Sequence, residues 1–249
     1  MKNIMEMLNI SFNFSEIFSV KYLDGYFNRN KTIYLIALII FVVTALIGVI
    51  FPIDYEYDNM DFDSKINSDN LLNEVEDSDY HYKDNIGEQY SNNDEVNMQK
   101  VKQDLQSQMN FNEFLNLFIH NFNIDFSVII CGIFLSIPSL FITFVNSVLV
   151  GSIFSTVEIL VVLFGVLPHG IFEIPSSVIS LAGAFMLTKI ELNLFTAAMS
   201  KEKSVSDVSD ECKYLFKDVI FSIILVFTFL FLAALIETFI TPMLLMVIL

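Results

Sequence analysis

The chain is poor in the residues from which metal and nucleophilic sites are commonly built. Its 249 residues include two cysteines, three histidines and eight glycines. The cysteines, Cys131 in an apolar run and Cys212 in a polar connection, read as free thiols and not as a disulfide framework. No CxxC, HExxH or His/Cys cluster occurs, so the common zinc signatures are missing. There is no glycine-rich phosphate loop, and no serine or cysteine stands with a histidine and an orienting acid in a recognisable pattern. Basic residues are also scarce, with 13 Lys and Arg against 29 Asp and Glu. Nucleic-acid binding therefore has no support. The expectation is a protein without cofactor or metal that is not an enzyme.

Apolar residues are abundant: 54% of the chain is hydrophobic, Phe alone numbers 26, and long apolar runs recur. This composition predicts an all-α fold, a polytopic membrane protein of about five transmembrane helices. The net charge of −16 is local, because residues 53–108 hold 15 acids against four lysines, a balance of −11.

The first apolar run, residues 32–52, follows Lys21, Arg29 and Lys31 and lacks a small-residue cleavage pattern, so it reads as a retained span. By the positive-inside rule, residues 1–31 are cytoplasmic, in a multi-pass protein of the cytoplasmic membrane. Residues 53–110 form an acidic extracytoplasmic loop, much of it expected to be disordered. It ends in a juxtamembrane amphipathic helix in which Val101, Leu105 and Met109 lead into Phe111, Phe114, Leu115 and Phe118.

The remainder, residues 111–249, reads as a membrane bundle. The 39 residues 126–164 are nearly all apolar, too long for one crossing, and suit two antiparallel helices that turn between Pro138 and Asn146. A fourth span covers residues 171–188, its helix continuing to Met199 with Pro175 in the first turn. A Lys-rich cytoplasmic connection precedes a fifth span that begins at Asp218. Thr241-Pro242 divides that last run, leaving a short terminal piece in the outer interface or folded back.

The segment Leu167-Pro168-His169-Gly170-Ile171-Phe172-Glu173-Ile174-Pro175 places ionisable side chains in an apolar setting. Such groups at membrane depth are costly, so their partners matter. The predicted topology puts Glu158, His169, Glu173 and Glu237 in the same half of the bilayer, and Gly170, Pro175 and Pro242 complete the candidate cluster. One reading ties the outer ends of spans three to five together through buried polar contacts. Another is a functional site open to the outer face. A zinc site is least supported, since His169 and Glu173 have i, i+4 spacing but only one histidine is available. Ser176, Ser180 and Ala184, with Gly183 adjacent, form a small-residue face that predicts close helix packing.

The Leu167–Pro175 stretch, Ala182-Gly183-Ala184 and the stretch Ala233-Ala234-Leu235-Ile236-Glu237-Thr238-Phe239-Ile240-Thr241-Pro242 resemble, in order and spacing, the two signature stretches of the stage II sporulation protein M family. Asn121, Asn146 and Gly151 fit the preceding hairpin. Two departures are Ser147, where the family pattern suggests glycine after the asparagine, and the long acidic segment. The family also occurs in archaea and non-sporulating bacteria. In endospore formers its named member is an integral membrane protein that acts with two cell-wall-degrading partners. The resemblance therefore implies a non-enzymatic scaffold or anchor for envelope remodelling at the outer face, with His169, Glu173 and Glu237 in motif positions. The alternative is a small transporter or permease component using the Glu/His cluster. Expected partners are membrane lipids and other envelope or membrane proteins, with a homo-oligomer also open.

Overall fold

A computed structural model describes residues 20–53, 102, 106–107, 109–199 and 205–248. The predicted amphipathic positions Val101 and Leu105, and nearly all of the acidic segment, lie outside the described residues. The described residues contain helices and no strand. They are α1 (Val20–Ile50), α2 (Phe111–Ile130), α3 (Ile137–Thr156), the short α4 (Ile159–Val161), α5 (Leu167–Met199), α6 (Val205–Leu235) and α7 (Thr241–Ile248). A wide π-helical turn, Val162–Val166, joins α4 to α5, and another, Ile236–Ile240, joins α6 to α7.

Among the described residues five helical stretches are long and apolar enough to cross a membrane, and the chain is a multi-pass membrane protein. The sides of α1 and α3 that face away from the bundle carry exposed Leu35, Ile39, Val43, Phe141 and Val145. That pattern suits hydrocarbon, where each helix satisfies its own backbone hydrogen bonds. Fully buried Leu181, Ala184, Met186, Val226 and Leu230, from α5 and α6, instead belong to the core of the bundle.

In lipid, helices associate through close packing and polar contacts, since tails are as apolar as leucine. The α1–α3 pair uses both, with Thr44 and Ser147 sharing a hydrogen bond beside a close backbone approach. A Cβ on Gly151 would lie 1.9 Å from the Ala45 carbonyl oxygen, and one on Gly48 would lie 2.1 Å from that of Val148. Only glycine permits that approach. The expected small-residue packing of α5 appears at Ala184, whose backbone lies against Gly132 so closely that a Cβ there would come within 2.5 Å of the Ala184 oxygen.

Three boundaries differ from those the sequence predicts. First, residues 111–118 belong to the second span itself, which runs to Phe134. Phe114, Phe118 and Phe122 recur one per turn and meet Phe227, Phe231 and Phe239 edge-on or tilted, so this stripe is an intrabundle seam with α6 and the turn after it. Second, the hairpin turns at Leu135 and Ser136, just ahead of Pro138 and not between Pro138 and Asn146. Both residues have positive φ, 52° and 56°. This left-handed pair costs roughly 1–2 kcal/mol per residue. Buried Ser136 offsets part of that cost through a 2.6 Å hydrogen bond with Thr188, whose hydroxyl also lies 2.9 Å from the Gly132 carbonyl. Third, Pro175 lies inside α5, not in its first turn.

The helix of the fourth span does continue to Met199. At the C-terminal end the chain does not fold back. It stays helical through the π turn into α7, whose Leu245 approaches Gly165. Each π turn is followed within two residues by a proline, Pro168 or Pro242. A helical proline cannot donate to the carbonyl four residues earlier and clashes with it. A widened turn is a way to accommodate that defect without ending the helix.

Candidate functional site

The antiparallel helices bring polar groups from four elements to mid-depth. Asn146 sits halfway along the 20-residue α3, roughly 15 Å from either end at 1.5 Å per residue. Its Nδ2 donates to Ser177 Oγ on α5 at 3.4 Å. Ser177 Oγ lies 3.4 Å from Asp125 Oδ1, and Ser176 donates to Asp125 Oδ2 at 2.5 Å. Ser180, one turn further along α5, faces the same carboxylate. Asp125, on α2, is 3% exposed, and burying a carboxylate so fully is tolerable only with such donors.

Glu173 lies one turn before Ser177 on α5, within electrostatic reach of Asp125 and of Glu237 from the second π turn. His169, one turn earlier, brings Nε2 to 4.0 Å from Glu173 Oε2, and its Nδ1 is buried. That separation is longer than a hydrogen bond. Glu173, Asn146 and Ser177 line two neighbouring spaces. One is a small polar void beside Asn121, Asp125 and Leu230. The other is a cavity of about 260 Å³, walled by Phe41, Val150, Val166, Gly170, Ile174 and Pro175 among others. A Cβ on Gly170 would meet nothing within 4 Å. Pro175 has no N–H to offer the Ile171 carbonyl, and both residues line the cavity.

His169, Gly170, Glu173, Pro175 and Glu237 thus gather around the cavity or the acids beside it. Glu158 does not join them. The turn that starts α3 comes earlier than expected, so α3 ends at Thr156 and Glu158 is an exposed residue at the break before α4. Pro242 is buried beyond the second π turn and serves that turn's geometry. Sequence reasoning missed Asp125, which stands one residue before the point where it began the second span. The phenylalanines at four-residue spacing from Phe114 to Phe126 were the available signal that the span starts earlier. Ser176, expected as a packing residue, donates its hydroxyl to Asp125, and Ser180 faces the same carboxylate without a hydrogen bond of its own.

Toward the end of the bundle with the α2–α3 turn, the acids give way to a mostly apolar layer in which Ser139, Ser180 and Ser222 are buried hydroxyls. Ile129, Leu181, Ala182, Ala184, Met186 and Val226 are each buried to 0% exposure.

Beyond that layer lies a second polar centre, built differently. Asp218 on α6 is 1% exposed and receives Arg29 Nη2 at 2.7 Å, Asn30 Nδ2 at 2.6 Å and the Tyr22 hydroxyl at 2.9 Å, all from α1. Arg29 also lies 5.4 Å from the centre of the Tyr22 ring. Tyr26 continues the network through hydrogen bonds to Ser222 and Tyr34. Every oxygen of this buried acid has a donor, one of them cationic.

The family model described as Stage II sporulation protein M matches residues 37–242. No curated protein and no solved structure matches the chain.

Proposed function

We propose that this chain, which belongs to the stage II sporulation protein M family, is a non-enzymatic membrane anchor that holds envelope-active proteins at the face where α1 ends and α2 begins. On this reading that face is extracytoplasmic and the N-terminus cytoplasmic, because Lys189, Lys213, Lys217 and Arg29 collect toward the opposite end.

The observation that carries the proposal is the one-sidedness of the site. Asp125, Glu173, Glu237 and His169 occupy the middle of the bundle and the half beyond it, and among the described residues no Asp, Glu, His, Lys or Arg lies in the mostly apolar layer between them and Asp218. Intramembrane ionisable residues point to a functional site, and a site with one entrance suits binding better than passage. The alternative, a transporter component, draws on the same acids but has only hydroxyls such as Ser180 and Ser222 between them and the second polar centre.

Crosslinking in cells followed by purification from native membranes tests the proposal. Envelope proteins captured with the wild type are expected to be lost from a Glu173→Gln, Glu237→Gln variant that accumulates normally. Proton or cation flux by the purified protein in liposomes would favour the transporter reading and sink the anchor.

A further inference from the structure

The gap between α3 and α5 presents a carboxylate without a cation. Helix α1 packs on both of these helices, whereas α3 and α5 scarcely touch, and the 260 Å³ cavity occupies the space between them. Its walls are apolar apart from Glu173, Asn146 and Ser177. At its margin Phe154, Leu167 and Ile171 are exposed. A charge held in hydrocarbon is expensive unless it is paired, and Glu173 has only His169, at 4.0 Å. No Lys or Arg occurs in residues 32–53, 111–188 or 218–249. The spans of this chain, and those of a second copy in the same orientation, therefore bring no basic side chain to this depth.

We infer that the groove receives the transmembrane helix of a different protein, one that carries a lysine or arginine at mid-membrane depth. The inference rests on the anchoring role above and names the chemistry of what is anchored. An α-helix with side chains is roughly 10 Å across, too wide for the cavity. The partner helix lies over Phe154, Leu167 and Ile171, and one long side chain enters. Its aliphatic stem runs along Phe41, Val150 and Ile174, and its charged head meets Glu173, with Asn146 Oδ1 as a second acceptor. Gly170 keeps the α5 surface low, which allows a second backbone to come close.

The test uses the full-length protein in phosphatidylcholine vesicles and a synthetic leucine-rich transmembrane peptide, with association read by energy transfer. A peptide with one central lysine should bind roughly tenfold more tightly than its all-leucine counterpart, the scale of one interhelical polar contact in lipid. Glu173→Gln should abolish that preference, and so should Gly170→Phe, which fills the cavity and leaves the carboxylate in place. Glu173→Lys should instead prefer a peptide with a central glutamate, a reversal that a misfolded protein would not give. Equal binding of the lysine and leucine peptides, or a lysine preference that survives Glu173→Gln, overturns the inference. Loss of the preference when the vesicles contain phosphatidylethanolamine assigns the cavity to an amine headgroup and overturns it too. Should the peptides fail while capture from native membranes still depends on Glu173, anchoring stands and only the basic-helix chemistry falls.

Discussion

Two acids sit at different levels of the same bundle, Asp218 buried and Glu173 half-buried, and are treated in opposite ways. Asp218 is enclosed by an arginine, an asparagine and a tyrosine, all from α1. Glu173 shares its surroundings with Asp125, Glu237 and a histidine 4.0 Å away, beside a cavity that nothing in the described residues fills. The first acid fastens α6 to α1. The second adds no comparable fastening, which means that the bundle does not depend on it for assembly. The difference separates a structural polar centre from one kept available, even though both place carboxylates in apolar helices.

Removing partners should expose that contrast. The largest effect is expected at Asp218→Ala, which strands Arg29 and Asn30. Breaking a buried ion pair from one side costs about 3–5 kcal/mol, and Arg29, 41% exposed, recovers enough water to place the loss near the lower figure. Thermal unfolding in detergent measures it. Ser176→Ala should come next, at about 1–2 kcal/mol, because it removes the 2.5 Å donor to a buried carboxylate. Glu173→Gln is expected to change stability by less than about 1 kcal/mol, since no buried donor loses its acceptor, while partner capture falls. Smallest of all, Lys189→Met breaks the exposed 3.0 Å pair with Glu211 and should cost about 0.5 kcal/mol or less, an effect that salt erases. A loss at Glu173 as large as that at Asp218 would collapse the distinction between the two centres.

The sequence made much of the unpaired centre legible and almost none of the paired one. His169 and Glu173 stand out because their neighbours are apolar, and the antiparallel run of the last two spans brings Glu237 to their level. Asp125 escaped because the polar residues around it, among them Asn121 and Asn123, lower the local hydropathy and delay the apparent start of the span. The hairpin turn was hidden for another reason. Leu135 and Ser136 adopt positive φ without the glycine or asparagine that usually signals it, whereas Pro138 sits harmlessly in the first turn of α3. Arg29 reads in sequence as a topogenic charge, and Asp218 as the polar edge of an apolar run. Only the side chains that reach from α1 to α6, pairing residues 189 positions apart, reveal what they do.

The most direct measurement compares the thermal unfolding midpoints of Asp218→Asn and of the Glu173→Gln, Glu237→Gln double variant in the same detergent. A large drop for the first and a midpoint close to wild type for the second is the expected result. A drop in the double variant that equals or exceeds that of Asp218→Asn would show that the acids beside the cavity hold the bundle together, and would contradict their assignment to a binding site.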